Sequence, residues 1–179
     1  SPMSEAISPG AAFRLALNTH APLQIVGTIN AYCAMMAEQL GHQAIYLSGA
    51  GVANASYGIP DLGMTSLNDV VTDAQRITAA SSVPLLVDID TGWEDMAKTI
   101  QAMEQAGVAA VHLEDQVAQK RCGHRPNKEV VSTEEMCDRI KTAVDARVDA
   151  DFFIMARTDS FAQEGLEKAI ERAQAYVAA

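Results

Sequence analysis

Two textures of apolar residues alternate along the chain. Five short runs rich in branched or aromatic side chains, at 23–27, 44–49, 85–89, 109–113 and 152–155, have the length of strands and run into glycine or polar residues. Longer stretches with apolar residues three or four apart lie between them. One covers 31–40 and is closed by Gly41, a second covers 69–80, and a third carries Met96, Ile100 and Met103 with Gly107 at its end. A fourth carries Met136, Ile140 and Val144, and a last one Leu166, Ile170, Ala173 and Val177. Such spacing places residues on one face of a helix, so each stripe is predicted to face the core. The methionine-bearing stripes read as packing rather than as a cofactor site. Ser132-Thr133-Glu134-Glu135 matches a capping box, and Gly107 suits a helix C-terminus.

Five consecutive β-then-α units predict a parallel sheet covered by helices, and both an open sheet and a barrel fit that pattern. The polar residues decide between them. Ser48, Asp88, Asp90, Glu114, Asp115, Arg157 and Asp159 all fall at or just beyond the C-terminal ends of predicted strands. Side chains from several strand ends converging on one face build the catalytic mouth of a (β/α)8 barrel. No Gly-x-Gly-x-x-Gly follows the first strand, which weakens a dinucleotide-binding reading. The predicted fold is therefore α/β, a (β/α)8 TIM-type barrel of which the chain supplies the first five units. A whole barrel takes about 250 residues, whereas this chain has 179 and ends within its last helical pattern. It is accordingly expected to be the N-terminal part of one barrel domain, 11–179, with an apolar face left open. Residues 1–10 read as an expression scar followed by a flexible lead-in at Pro9-Gly10.

Composition narrows the partners. The chain is 49% hydrophobic and 20% charged, as globular proteins are, and its formal net charge of −10 disfavours nucleic acid or an anionic membrane as partner. No apolar run approaches the roughly 20 residues of a membrane span. Three cysteines, Cys33, Cys122 and Cys137, with no signal-like start, point to a reducing, cytoplasmic setting.

Two clusters carry the chemistry. Asp88, Asp90 and Glu114 are hard oxygen donors of the kind Mg2+ favours, and Asp88 and Asp90 share a face if the chain stays extended. Asp at a strand-to-helix loop also caps helices, so that reading stays open. Arg157 offers a fork for a carboxylate, or a structural ion pair, and Ser48 and Gly49 offer hydroxyl and N–H donors. The second cluster is Lys120-Arg121-Cys122-Gly123-His124, where positive charge beside a thiol lowers its pKa. The alternative is a solvated basic loop with an incidental cysteine. No second Cys or His stands at zinc-site spacing from Cys122.

These stretches, with 46–49, 58–63, 87–92, 112–116, 120–126 and 155–159, resemble the isocitrate lyase and phosphoenolpyruvate mutase superfamily, most nearly its 2-methylisocitrate-cleaving branch. The resemblance spans nearly the whole chain from about residue 10, and the Lys-Arg-Cys-Gly-His run is what marks the lyase branch. It implies cleavage of 2-methylisocitrate, a tricarboxylate, to pyruvate and succinate in the methylcitrate route for propionate. By resemblance, Mg2+ (or Mn2+) is held by Asp88 and Asp90, with Glu114 supporting its waters. Ser48, Gly49, Ala50, Cys122, Gly123 and Arg157 are matched to substrate-binding positions. Asp61 and Tyr46 are matched to positions near the reacting hydroxyl, Cys122 to the general acid, and Lys120 and His124 to residues that tune it. A homotetramer is also implied. The family's usual Ser-Gly-Gly is Ser48-Gly49-Ala50 here, and the stretch after Trp93 is about four residues short against the family pattern. Isocitrate lyase, a phosphonopyruvate- or oxaloacetate-acting enzyme, and an inactive barrel fragment are the alternatives.

Overall fold

The computed structural model describes residues 6–118 and 129–179. Lys120, Cys122, Gly123 and His124 lie outside the described residues. The elements run α1 (Pro9–Thr19), β1 (Val26–Gly27), α2 (Ala31–Gln39), β2 (Ile45–Leu47), the short α3 (Gly49–Gly51), a π-turn (Val52–Ser56), α4 (Leu67–Ala80), β3 (Leu85–Asp88), α5 (Met96–Gln105), β4 (Ala110–Glu114), α6 (Thr133–Ala146), β5 (Phe153–Arg157), α7 (Phe161–Glu164) and α8 (Leu166–Ala178). The five strands form one all-parallel sheet in sequential order, as consecutive β/α units require.

Register and alternation together sort the strand residues. Leu86, Ala110 and Phe153 are paired neighbours, then Asp88, His112 and Met155, then Glu114 and Arg157. These residues and Tyr46 occupy one face of the sheet. Low on that face, Leu86 and Ala110 join Phe13 and Ala44 in a small buried cluster with Phe153 against it. The other face carries Ile45, Leu47, Leu85, Val87, Val111 and Leu113, which pack with Ile77, Ile100, Met103, Met136 and Ile140 of the covering helices. The first face thus changes from apolar to ionisable as the strands rise, and the ionisable end is the C-terminal one.

Most predicted caps form. Gly107 follows α5 with φ 81°, and Ser132 Oγ accepts the Glu135 N–H at 3.1 Å. The reciprocal capping box forms at Ser66 and Asp69, with bonds of 3.2 and 2.8 Å. Two expectations about the helices fail. Pro9 and Gly10 are no lead-in: Ser8 caps α1 through its bond with the Ala11 N–H, and Pro9 sits where its missing N–H costs nothing. Gly10 packs so closely on the Asp151 carbonyl that an added Cβ would stand 2.5 Å from it.

The second failure is the inner face of α8. Leu166, Ile170 and Val177 are exposed, and the residues turned inward are Arg172 and Tyr176. The cause is a fully buried carboxylate, Asp115, one residue beyond β4. It accepts hydrogen bonds from Tyr176 Oη (2.8 Å), Thr158 Oγ1 (2.6 Å) and the Asp159 N–H (2.9 Å), with Arg172 Nη1 at 3.6 Å. A buried charge must be paired, so α8 turns its donors inward and its apolar stripe outward.

Candidate active site

The polar row at the C-terminal end of the sheet begins with Asp88, the last residue of β3. Its Oδ1 accepts the Asp90 N–H at 2.9 Å, and its Oδ2 lies 3.4 Å from the Gly49 nitrogen. Asp90 has φ 49°, so the two aspartates do not share a face of extended chain as predicted. A tight turn brings them together instead. A Cβ placed on Gly49 would be 3.4 Å from Asp88 Oδ2 and 3.8 and 3.9 Å from the Asp90 carboxylate oxygens. Glycine at 49 therefore leaves open a space faced by both carboxylates. Ser48 Oγ accepts the Gly51 N–H at 2.8 Å and so orients the turn that carries Gly49 and Ala50.

On β4, alternation puts His112 and Glu114 on the same face as Asp88. Tyr46 Oη and His112 Nε2 are 2.8 Å apart, their rings stacked with centroids 5.5 Å apart. Burial, reinforced by the charge of Asp88, raises the Tyr46 pKa well above its ordinary value. Burial lowers that of His112, although Asp88 opposes it. Both shifts favour the uncharged forms, a protonated phenol beside a neutral imidazole, and the imidazole tautomer sets which of the two donates. His112 Nε2 also stands 3.8 Å from Asp88 Oδ1.

Glu114 is buried at the end of β4. Gln116 Nε2 donates both to Glu114 Oε2 (3.0 Å) and to Asp159 Oδ2 (2.8 Å). Arg157 donates through Nε and Nη2 to Asp159 Oδ1 (3.2 and 3.1 Å), with Nη1 3.9 Å from Glu114 Oε2. Burial pulls the Arg157 pKa down, but Asp159 and Glu114 outweigh it and the net shift is upward. The guanidinium is thus a permanent cation at the mouth, half exposed and within reach of a carboxylate.

The structure therefore brings together Tyr46, Ser48, Gly49, Ala50, Asp88, Asp90, Glu114 and Arg157. Asp61 stands exposed on the 57–66 segment, and among the described residues nothing ties it to the aspartate pair by hydrogen bond or ion pair. Asp115 is at a strand end as predicted but faces α8, where it is structural. Sequence reasoning passed over His112 and Gln116 as working members of the site, and had Asp159 only as one of the strand-end residues. Alternation from Ala110 through His112 to Glu114 was the available signal for the first.

Among the described residues, no three His, Cys, Asp or Glu side chains close around a single point. Magnesium does not require that: it takes one or two carboxylates and keeps several waters. Asp88 and Asp90 facing the space above Gly49 fit that demand. No helix among the described residues is long and apolar enough to cross a membrane.

A row of carboxylates, a tyrosine–histidine pair and an arginine at the C-terminal ends of parallel strands is the mouth of a β/α-barrel enzyme fold. Residues 13–179 match the phosphoenolpyruvate phosphomutase family, and the chain belongs to it. It is 68% identical to the 2-methylisocitrate lyase of Vibrio cholerae, over 99% of this chain and 58% of that protein. It is 71% identical to the 2-methylisocitrate lyase of Shewanella oneidensis, over 96% of this chain and 60% of that one. Among solved structures, 2,3-dimethylmalate lyase, a PEP mutase/isocitrate lyase superfamily member, superposes with TM-score 0.87 at 35% identity, covering 97% of this chain and 60% of that chain. Phosphonopyruvate hydrolase in complex with oxalate and Mg++ superposes with TM-score 0.81 at 29% identity, covering 96% and 60%. The superfamily expected from the motifs is the one found, and the five units are part of a TIM-type barrel. The chain spans about 60% of the length of the curated relatives it matches.

Proposed function

We propose that this chain is the N-terminal part of a Mg2+-dependent carbon–carbon lyase that cleaves 2-methylisocitrate to pyruvate and succinate. The observation that carries the reading is the pair Asp88 and Asp90 facing the space that Gly49 leaves open, in a chain about 70% identical to relatives named for that reaction. The relative solved with oxalate and Mg++ supports a divalent ion and a small carboxylate ligand in this fold.

When bound, Mg2+ would supply charge neutralisation at the hydroxy-acid half of the substrate. Asp88 and Asp90 would hold it, while Glu114, braced by Gln116, would hold its waters. Arg157 forks onto a substrate carboxylate, which then competes with Asp159 for the guanidinium. The hydroxyl proton leaves as the adjacent C–C bond breaks. The carbonyl of pyruvate forms, and the electron pair of the broken bond stays on the succinate half. Tyr46, whose raised pKa favours a hydrogen-bond donor, and Asp61 are the two groups assigned to the substrate hydroxyl, Asp61 as its proton acceptor. Cys122 gives its proton to the carbanion, with Lys120 and His124 lowering the thiol pKa and Gly123 allowing close approach. Ser48, Gly49 and Ala50 line the substrate beside the metal. A cytoplasmic homotetramer belongs to the same proposal.

The test is pyruvate release from 2-methylisocitrate by the full-length protein with Mg2+ and again with a chelator. Release that stops on chelation is expected. No release in either condition refutes the lyase reading.

A further inference from the structure

We propose that Trp93 is a positioning residue that couples the Asp88–Asp90 pair to the 58–65 segment carrying Asp61. The inference rests on the metal reading above and goes beyond it, to how occupancy of that site reaches a loop with few other ties.

The connection from β3 to α5 is a short, stapled turn. Ile89 N–H donates to the His112 carbonyl (3.1 Å), Glu114 N–H to the Asp90 carbonyl (2.9 Å), and Gly92 N–H to the Ile89 carbonyl (2.8 Å). On the far side Thr99 Oγ1 donates to the Gly92 carbonyl at 2.8 Å, and Met96 covers Gly92 so closely that no Cβ would fit. Within the turn Asp90 (φ 49°) and Trp93 (φ 55°) both sit in the left-handed region, which a bulky residue such as tryptophan rarely adopts. Strain of this kind persists only where the surroundings enforce it. With each end pinned, the turn has little slack, so a rotation at Asp90 is passed to Trp93.

Trp93 spends that constraint on one contact. Its Nε1–H donates to the carbonyl of Thr65, a buried residue, at 3.0 Å, and its ring packs on the edge of the main core. The segment it reaches is otherwise loosely tied. Gly58 and Gly63 carry φ 65° and 70°, and Ile59 N–H donates to the Ala53 carbonyl at 3.0 Å. Among the described residues, Trp93 makes the one hydrogen bond that joins residues 60–65 to another element. Movement of Asp90 onto a cation would therefore be felt first at Thr65, four residues from Asp61.

The test follows the Trp93 signal in the 19F spectrum of full-length protein labelled with 5-fluorotryptophan, assigned by its loss in Trp93→Phe. Mg2+ is expected to shift that signal with the midpoint that calorimetry gives for Mg2+ binding. Trp93→Phe keeps the ring but loses the donor, and is expected to weaken Mg2+ by about two- to tenfold, the worth of one hydrogen bond. Calorimetric binding with an unmoved Trp93 signal overturns the coupling and leaves the metal reading intact. An absence of Mg2+ binding in the parent protein overturns both. Should Trp93→Phe fail to fold, Trp93→Tyr supplies the assignment, and the parent spectrum still decides.

Discussion

Replacing Gly49 by alanine tests the metal reading at its narrowest point. The backbone there is not left-handed, so glycine is not needed for conformation, and alanine would if anything favour the short helix by about 0.5–1 kcal/mol. The added methyl would sit at 3.4 Å from Asp88 Oδ2 and 3.8 and 3.9 Å from the Asp90 oxygens, which is ordinary contact and should leave the fold intact. It would, however, fill the space both carboxylates face. A Mg2+ ion held at about 2.0–2.1 Å with several waters needs that space for its hydration sphere. Perturbing the surroundings of a metal costs about 10–100-fold in affinity, equivalent to about 1.4–2.7 kcal/mol. Calorimetric titration with Mg2+, beside thermal unfolding of the metal-free parent and variant, measures both quantities. A variant that melts with the parent and binds Mg2+ within twofold of it would refute the assignment of the Asp88–Asp90 space to a cation.

Three other outcomes are expected, two from the geometry and the third from the proposed function. Asp115→Asn removes the charge that Arg172, Tyr176 and Thr158 surround, and should destabilise the protein by about 3–5 kcal/mol in chemical denaturation; an unchanged midpoint would show that Asp115 is not what turns α8 inward. Burial, aided by Asp115 and opposed by Arg172, pushes the Tyr176 pKa up to about 12. A raised folded-state pKa contributes stability that is fully present below the unfolded value of about 10 and is lost as pH rises through about 12, so Tyr176→Phe should flatten the alkaline part of a stability–pH curve. Cys122→Ser should lower pyruvate release by about 10²–10⁴-fold, as loss of a general acid does, with Mg2+ affinity unchanged. Retention of the parent rate would favour chemistry of the mutase or hydrolase kind.

Much of the fold was legible because its signals are local. Runs of four to six apolar residues ending in Asp88, Glu114 and Arg157, with amphipathic stretches between, specify β/α units whatever the rest of the chain does. Each of the five predicted strands overlaps an observed one, although the first shrinks to Val26–Gly27. Part of the candidate site was legible for the same reason, since Asp88, Glu114 and Arg157 stand where apolar runs end, and the register then sets them on one face. The errors arose where a distant partner overrode a local pattern. The apolar stripe of α8 loses to Asp115, more than fifty residues earlier in the chain. Pro9-Gly10 has loop composition, yet is held as helix by Ser8 and by close packing on Asp151.

The sequence by itself determined the order of elements, the parallel sheet they imply and which charged residues stand at the strand ends, because those properties follow from periodicities of two and about 3.6. Only the tertiary structure decided the distances: Tyr46 against His112 across β3, Gln116 between Glu114 and Asp159, Trp93 on Thr65, and the left-handed turn that folds Asp90 back beside Asp88. These depend on register and loop geometry. Both are set by the packing of residues far apart in the chain, which no local pattern contains.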